Sequence, residues 1–338
     1  MRLFRLLSIA LISFGATAAE VDQFTRRFEP LQDMANSVNH RANAYLRVAV
    51  ERANASKRCD ASIKSEKALY KEMTAFFSNH LKGQLVKDLI YKDGIERHVT
   101  TLEDSMYNDW SLISGTLMSI NSIANALDVM SPELNIGGVR VGTDKFEHMF
   151  GQGLSYFKSH HLKGKSLRKT LKMGVFKEKM ILGGLMFETG VFSYADFSAN
   201  FNGMRFWNHV LQKRDDVLGA EQNIGPYVEC INEQWQVIES NPIDFRNYMD
   251  ISMDESINCS KFATKKGAKQ FRQSIERLAE KDKRYSEMCL GLTETLEKMV
   301  KKYDVPIVKD AKVARDFLPH WIINQKGTGT VKYTGEFK

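Results

Sequence analysis

Two short stretches of the chain carry residue types able to do proton or ligand chemistry. The first is Gly142-Thr143-Asp144-Lys145-Phe146-Glu147-His148. Thr143 suits an N-cap, and Asp144 in the following turn complements a helix dipole, so a helix is predicted to start here. On that helix Asp144, His148 and Gln152 fall at i, i+4 and i+8 along one face, with Phe146, Phe150, Gly153 and Phe157 on a neighbouring apolar face. An acid and an imidazole one turn apart can share a metal or form an oriented acid–base pair. An acidic first turn with a half-buried, hydrogen-bonded histidine would give the same pattern.

The second stretch runs from Glu188 through Ser193-Tyr194-Ala195-Asp196 to Asn200 and Gly203. Ser193-x-x-Asp196 matches a helix-start capping box. Capping leaves Asn200 unexplained, a polar residue among Phe197, Phe201, Met204 and Phe206. Such a residue needs partners, and the Asp144/His148 face can provide them. A third stretch holds Asp250, Asp254, Glu255, Asn258 and Cys259. Closely spaced carboxylates can bind a hard cation, but the alternation and central glycine of an EF-hand are missing, so a solvated turn pinned by a disulfide is expected. No G-x-S-x-G, H-E-x-x-H, Walker A or C-x-x-C occurs. The sequence therefore names neither a cofactor nor a metal site.

The pattern D-K-x-x-H, then a Glu before a turn, then S-x-x-D-x-x-x-N-x-x-G, resembles the VanZ-like envelope proteins. It is also similar to small YfiM-type envelope lipoproteins and to exported proteobacterial proteins with a Ser-Tyr-Ala-Asp signature. The match falls on Asp144, Lys145, His148, Glu188, Ser193, Asp196, Asn200 and Gly203. It covers about 60 residues. VanZ-like members carry these motifs on membrane helices, whereas this chain has no convincing span after its first residues. The resemblance implies an envelope setting and polar groups brought together by packed helices; it implies no agreed reaction.

The elements that must position these residues read as helical. Only 6 prolines are spread over 338 residues, which favours helices over short punctuated strands. Leu31, Met34, Val38, Ala42, Tyr45 and Val48-Ala49 recur at three- and four-residue steps, and further helices are expected over about 65–90 and 102–130. The uncharged stretch 110–127 holds enough Ser, Thr and Asn to favour a buried helix over a membrane span. Glycines and aromatics are dense over 139–210, and a charged helical stretch is expected over 261–303. The fold expected is all-α or nearly so: a compact multi-helix bundle with a charged C-terminal helical extension, and a small β element near 329–335. Its segments are 1–19, 20–135, 136–210 and 211–338.

The first twenty residues and the cysteines bear on location. Arg2 and Arg5, an apolar run from Leu6 to Phe14 and the small residues Ala16 to Ala19 form a signal peptide, too short to span a bilayer. Its removal lowers the net charge from +7 to +5, since it carries two basic and no acidic residues. Cys59, Cys230, Cys259 and Cys289 are even in number and fit two disulfides, mainly in the C-terminal half, in an oxidising compartment; their pairing stays open.

Three functions remain. One is a periplasmic or secreted protein whose Asp144, Lys145, His148, Gln152, Glu188, Ser193, Asp196 and Asn200 bind or act on an envelope component, either peptidoglycan or a lipid-linked precursor. In that version His148, Glu188 and Asp196 carry any catalysis. The second is a peptidoglycan hydrolase using Glu188 or Glu147 as general acid in an apolar pocket. The third is a non-catalytic structural or interaction protein in which the polar cluster locks helix packing. The modest charge of an exported chain excludes nucleic acid as a natural partner.

Overall fold

The computed structural model describes residues 20–60, 62–109, 130–178, 190–305, 307 and 318–331. The expected signal peptide, the uncharged stretch 110–127 and Glu188 lie outside the described residues.

Helix α1 (Ala35–Ser56) has the three- and four-residue spacing read from the sequence, and it buries Val38, Ala42, Leu46, Ala49 and Ala53. The single helix expected over 65–90 is instead two. They are α2 (Ile63–Met73), started by the Ser62 hydroxyl accepting from the Ser65 amide, and α3 (Gln84–Tyr91). The break between them brings Gly83 against Ser78, where an added Cβ would lie 2.5 Å from the Ser78 amide nitrogen. Residues 102–109 form turns, not the start of a helix.

The middle of the chain opens with a hairpin, β1 (Glu133–Ile136) and β2 (Val139–Gly142), and runs directly into α4 (Thr143–Glu147). A π-helical turn (His148–Gln152), α5 (Gly153–Phe157) and a second π-helical turn (Lys158–Leu162) continue the same rod. Then come α6 (Leu167–Lys177), the short strand β3 (Val191–Phe192) and α7 (Tyr194–His209). All sixteen residues of α7 are buried. Strands β4 (Val228–Ile231), β5 (Gln234–Val237) and β6 (Lys261–Phe262) follow, with α8 (Lys265–Lys281), α9 (Glu294–Lys302) and α10 (Pro319–Ile322).

The all-α expectation is overturned. Among the described residues about 49% are helical, and six strands form three two-stranded antiparallel sheets, so the fold is mixed α/β. The strands are two to four residues long, below the length at which a two-residue period shows in a sequence window. Gly137 and Gly138, which mark a break in the sequence, are the two-residue turn of the β1–β2 hairpin; their φ of 65° and 85° supply the left-handed backbone such a turn requires. Asn232 and Glu233 do the same between β4 and β5, at φ of 50° and 62°, without a glycine to announce it. The β3–β6 pair joins segments 70 residues apart, a partnership no local pattern can show. The expected C-terminal extension is likewise interrupted, by a 3₁₀ turn over Lys283–Glu287. Of the small β element near 329–335, Thr330 bridges Phe262; 332–335 lie outside the described residues.

One core draws on Val38 and Leu46 of α1, Phe150 of the π-helical turn, Phe206 and Trp207 of α7, and Trp321 of α10. Phe150 stands 5.3 Å from Phe77 and 5.5 Å from Phe206 between ring centroids, close enough for edge contacts. Disulfides Cys59–Cys230 and Cys259–Cys289 close the chain. The first ties the N-terminal helices to β4, so only the second lies wholly in the C-terminal half. Both fit an oxidising compartment, and no described helix is long and apolar enough to cross a membrane.

Candidate functional site

The close approach of α5 and α7 sets the site. A Cβ on Gly203 would lie 2.1 Å from the Met149 carbonyl oxygen, and one on Gly153 would lie 2.6 Å from the Gly203 backbone. The two glycines therefore let the helix backbones touch. That contact brings the His148 end of one rod against the Asn200 and Asp196 face of the other.

Each carboxylate is aimed by its own local structure. At the start of α4 the expected capping is modified. Thr143 is the first helical residue, and the Ser131 hydroxyl, from just before β1, accepts from the Asp144 amide at 2.9 Å. Gly142 is required beneath it, since a Cβ there would lie 2.0 Å from Asp144 Oδ1. At the start of α7, Ser193 caps as the sequence indicates, accepting from the Asp196 amide at 3.1 Å. The Asp196 carboxylate turns inward.

At the centre is Lys145, fully buried at 0% exposure. Its ammonium donates to Asp144 Oδ2 at 2.6 Å, Asp196 Oδ1 at 2.7 Å and Glu255 Oε1 at 2.6 Å. His148 presents Nε2 to Asp196 Oδ2 at 3.2 Å and Nδ1 to Asn200 Oδ1 at 3.2 Å. The Ser193 hydroxyl donates to Glu255 Oε1 at 2.8 Å while Gln23 Oε1 accepts from the Glu255 amide at 2.8 Å. Glu255 Oε2 is buried and has no hydrogen-bond partner among the described residues. The carboxylates of Asp144, Asp196 and Glu255 lie within 4.8 Å of one another, a spacing that suits a cation with oxygen ligands. Here the chain supplies the cation itself, as the Lys145 ammonium.

Burial and neighbouring charge split the protonation of these groups. Burial works against the Lys145 ammonium, but Asp144, Asp196 and Glu255 together outweigh it and hold its pKa well above the ordinary value. Burial pushes the Asp144 and Glu255 carboxyls up, and Lys145 only partly pulls them back. Asp196 is pulled below its ordinary value because His148 and Lys145 overcome its burial. Glu178, also buried, is raised well above the usual range by its burial and then by the charge of Asp196. Burial and charge thus act in opposite net directions on neighbouring carboxyls, lowering Asp196 and raising Asp144 and Glu255.

Of the residues singled out from the sequence, Asp144, Lys145, His148, Ser193, Asp196 and Asn200 meet here. Gln152 does not. Between His148 and Gln152 the rod hydrogen-bonds i→i+5, so a four-residue step no longer returns to the same face. Gln152 Oε1 accepts instead from Lys177 Nζ at 3.2 Å. Glu147 faces His80, whose Nδ1 lies 2.6 Å from Oε1 and whose amide donates to the same oxygen at 2.9 Å. Glu188 lies outside the described residues.

The solvated turn expected over Asp250 to Cys259 is a buried one. Asp254 takes an ion pair from Arg27 at 2.7 Å, Asn258 donates to the Ser252 and Ile322 carbonyls, and Glu255 enters the site. The acidic spacing marked this segment; its partner Lys145, 110 residues away, did not. Sequence reasoning also missed Ser131 and Gln23, which the isolated Val21–Ser131 bridge brings beside the site and no motif marks. No protein-family model, curated protein or solved structure matches the chain.

Proposed function

We propose that this is an exported envelope protein whose Asp144–Lys145–His148–Asp196–Asn200–Glu255 cluster is an acid–base site that binds or acts on a cell-envelope component, peptidoglycan or a lipid-linked precursor. The observation carrying this reading is the buried, unpartnered Oε2 of Glu255. A buried carboxylate oxygen without a partner costs free energy that a stability-driven cluster would remove, and groups with opposed protonation preferences at one place are the usual arrangement for an acid and its base. The N-terminal signal, the two disulfides and the motif resemblance support the envelope setting. Glu255 takes the acid role and Asp196 with His148 the base role.

The test uses the exported protein with its disulfides intact, incubated with purified peptidoglycan and, separately, with a lipid-linked precursor. Wild type, Glu255→Gln and His148→Ala are compared by co-sedimentation and by mass spectrometry of the products. New fragments, or retention on the polymer or lipid, that disappear in a folded Glu255→Gln protein are expected. Neither fragments nor retention in wild type sinks the proposal.

Burial favours a second reading. Lys145 is wholly enclosed, and its three ion pairs tie α4, α7 and the 250–259 turn together. In that case the network locks the packing and has no ligand. Variants would then lose stability alone, with no separate defect at a temperature where they remain folded.

A further inference from the structure

A different region of the chain carries an inference of its own, independent of the acid–base reading. The segment Asn324-Gln325-Lys326-Gly327-Thr328-Gly329-Thr330 follows α10 and borders a groove of about 660 Å³, opposite Tyr194, Lys261 and His320. That volume is in the range of small-molecule sites. The groove's described lining contains three basic residues, Lys261, His320 and Lys326, and no acidic one. Lys261 lies in the buried floor, its ammonium 5.8 Å from the centre of the Tyr194 ring, while Lys326 and His320 stand exposed at the rim.

The loop is held rigidly from behind. Asn324 Nδ2 donates to the Cys259 and Gly327 carbonyls, at 2.5 and 2.9 Å, and the Thr328 amide donates to the Cys289 carbonyl at 3.2 Å. The Cys259–Cys289 disulfide thus anchors both ends of the turn. Arg272 clamps the Thr328 carbonyl at 2.8 Å, and the Phe262 amide donates to the Gly329 carbonyl at 2.8 Å. Gly327, at φ 67°, leaves no room for a side chain, since a Cβ would sit 2.6 Å from the Cys289 carbonyl oxygen.

The carbonyls of Gly327, Thr328 and Gly329 all accept from the protein, yet three of the loop's donors are left over. The Thr328 hydroxyl is buried and has no hydrogen-bond partner among the described residues. The amides of Gly329 and Thr330 donate to no group among the described residues. A rigid glycine-rich turn with spare N–H and O–H donors, beside ammonium groups, is suited to the oxygens of a phosphoryl group.

We infer that this groove binds a phosphorylated small molecule, with the phosphoryl oxygens taken by Thr328, the Gly329–Thr330 amides and Lys326. The volume leaves room for more than the phosphoryl group, so an organic phosphate is expected to bind better than the free anion.

The test is calorimetric titration of the full exported chain at fixed ionic strength with inorganic phosphate, inorganic pyrophosphate and glucose 1-phosphate. Saturable binding is expected. Tighter binding of glucose 1-phosphate than of phosphate assigns an organic ligand, and equal binding assigns the free anion. Lys326→Glu should weaken affinity by about tenfold, and Thr328→Val by about threefold, as expected for lost charge-assisted and neutral hydrogen bonds. Lys326 is exposed, so its replacement leaves folding intact; a thermal melt checks Thr328→Val. Lys298→Glu, on the exposed face of α9, is the control and should bind as wild type. The inference is overturned by no saturable binding of any probe, by equal weakening in Lys326→Glu and Lys298→Glu, or by unchanged affinity in both groove variants.

Discussion

Replacing Lys145 by Met keeps the length of the side chain and removes the ammonium that three carboxylates share. Breaking a buried ion pair by deleting one partner costs about 3–5 kcal/mol, because the remaining charge is left buried and unpaired. Here three buried carboxylates lose the same partner, at contact distances of 2.6, 2.7 and 2.6 Å. Proton uptake relieves part of that cost, so a loss of about 5 kcal/mol is expected at pH 7.5. At an unfolding entropy of about 2.1 cal/mol/K per residue, each kcal/mol moves the melting temperature of a chain this long by about 1.5 °C, which gives a fall of about 7 °C.

The pH dependence separates this cause from a simple packing defect. Without the ammonium, the Asp144 and Glu255 carboxyls, already raised by burial, rise further, while Asp196 keeps His148 beside it. A carboxyl raised that way adds stability below its unfolded pKa and loses it as the pH rises through its folded pKa. The gap between wild type and Lys145→Met should therefore narrow on going from pH 8 to pH 5. Adding Glu255→Gln to the variant should recover part of the loss at pH 7.5, since one fewer charge is buried. Circular-dichroism melts with the disulfides intact measure all three effects. A Lys145→Met protein melting within about 2 °C of wild type at pH 7.5, or showing the same gap at pH 5 and pH 8, would refute an ammonium-centred cluster.

Two further predictions follow from particular contacts. Glu133, buried at the start of β1, accepts from Arg140 at 2.8 Å, yet burial outweighs that partner and pushes its carboxyl up to about 7. Its contribution is fully present below its ordinary value of 4.5 and is lost as the pH rises through about 7, a span worth about 3 kcal/mol. Glu133→Gln should flatten the fall in stability between pH 5 and pH 8 by up to that amount in denaturant titrations; an unchanged slope would rule it out. Gly203→Ala places a methyl 2.1 Å from a backbone oxygen that cannot rotate away, so a cost of about 3 kcal/mol or more is expected, with the His148–Asn200 contact lengthened. A melt unchanged in that variant would mean that the two helix backbones are not in contact there.

How much of the fold was legible follows from what each element depends on. Helix α1 depends on its own apolar spacing, and Val38, Ala42, Tyr45 and Ala49 announced it. The cap at Ser193 depends on a residue three positions away and was equally visible. The β3–β6 pair depends on Val191 meeting Phe262 across 71 positions, and nothing in either dipeptide carries that information. Strands of two to four residues also lack the length for alternation to appear, so a sequence poor in proline reads as all helix even where short sheets close the connections.

For the candidate site the division is chemical. Six of its side chains sit on α4, on α7 or at their boundaries, where helical spacing places them on defined faces. The need of Asn200 for a polar partner points to the crossing from sequence alone, because a buried amide in an aromatic stripe is costly alone. The same spacing argument misplaced Gln152, since it assumed 3.6 residues per turn through a stretch that bonds i→i+5. Glu255 was read as part of a surface turn for the opposite reason: acidic residues in a short irregular segment are ordinarily solvated, and only an unpaired cation elsewhere argues otherwise. Lys145 was that cation. A lysine between an acidic first turn and a Phe, on a helix whose neighbouring face is apolar, has no water to reach, so it must find carboxylates. Asp144 and Asp196 lay within the two motifs, and the third had to come from outside both. The signal for Glu255 was therefore the third N–H donor of Lys145, which Asp144 and Asp196 leave unfilled, and not anything in the segment that holds it.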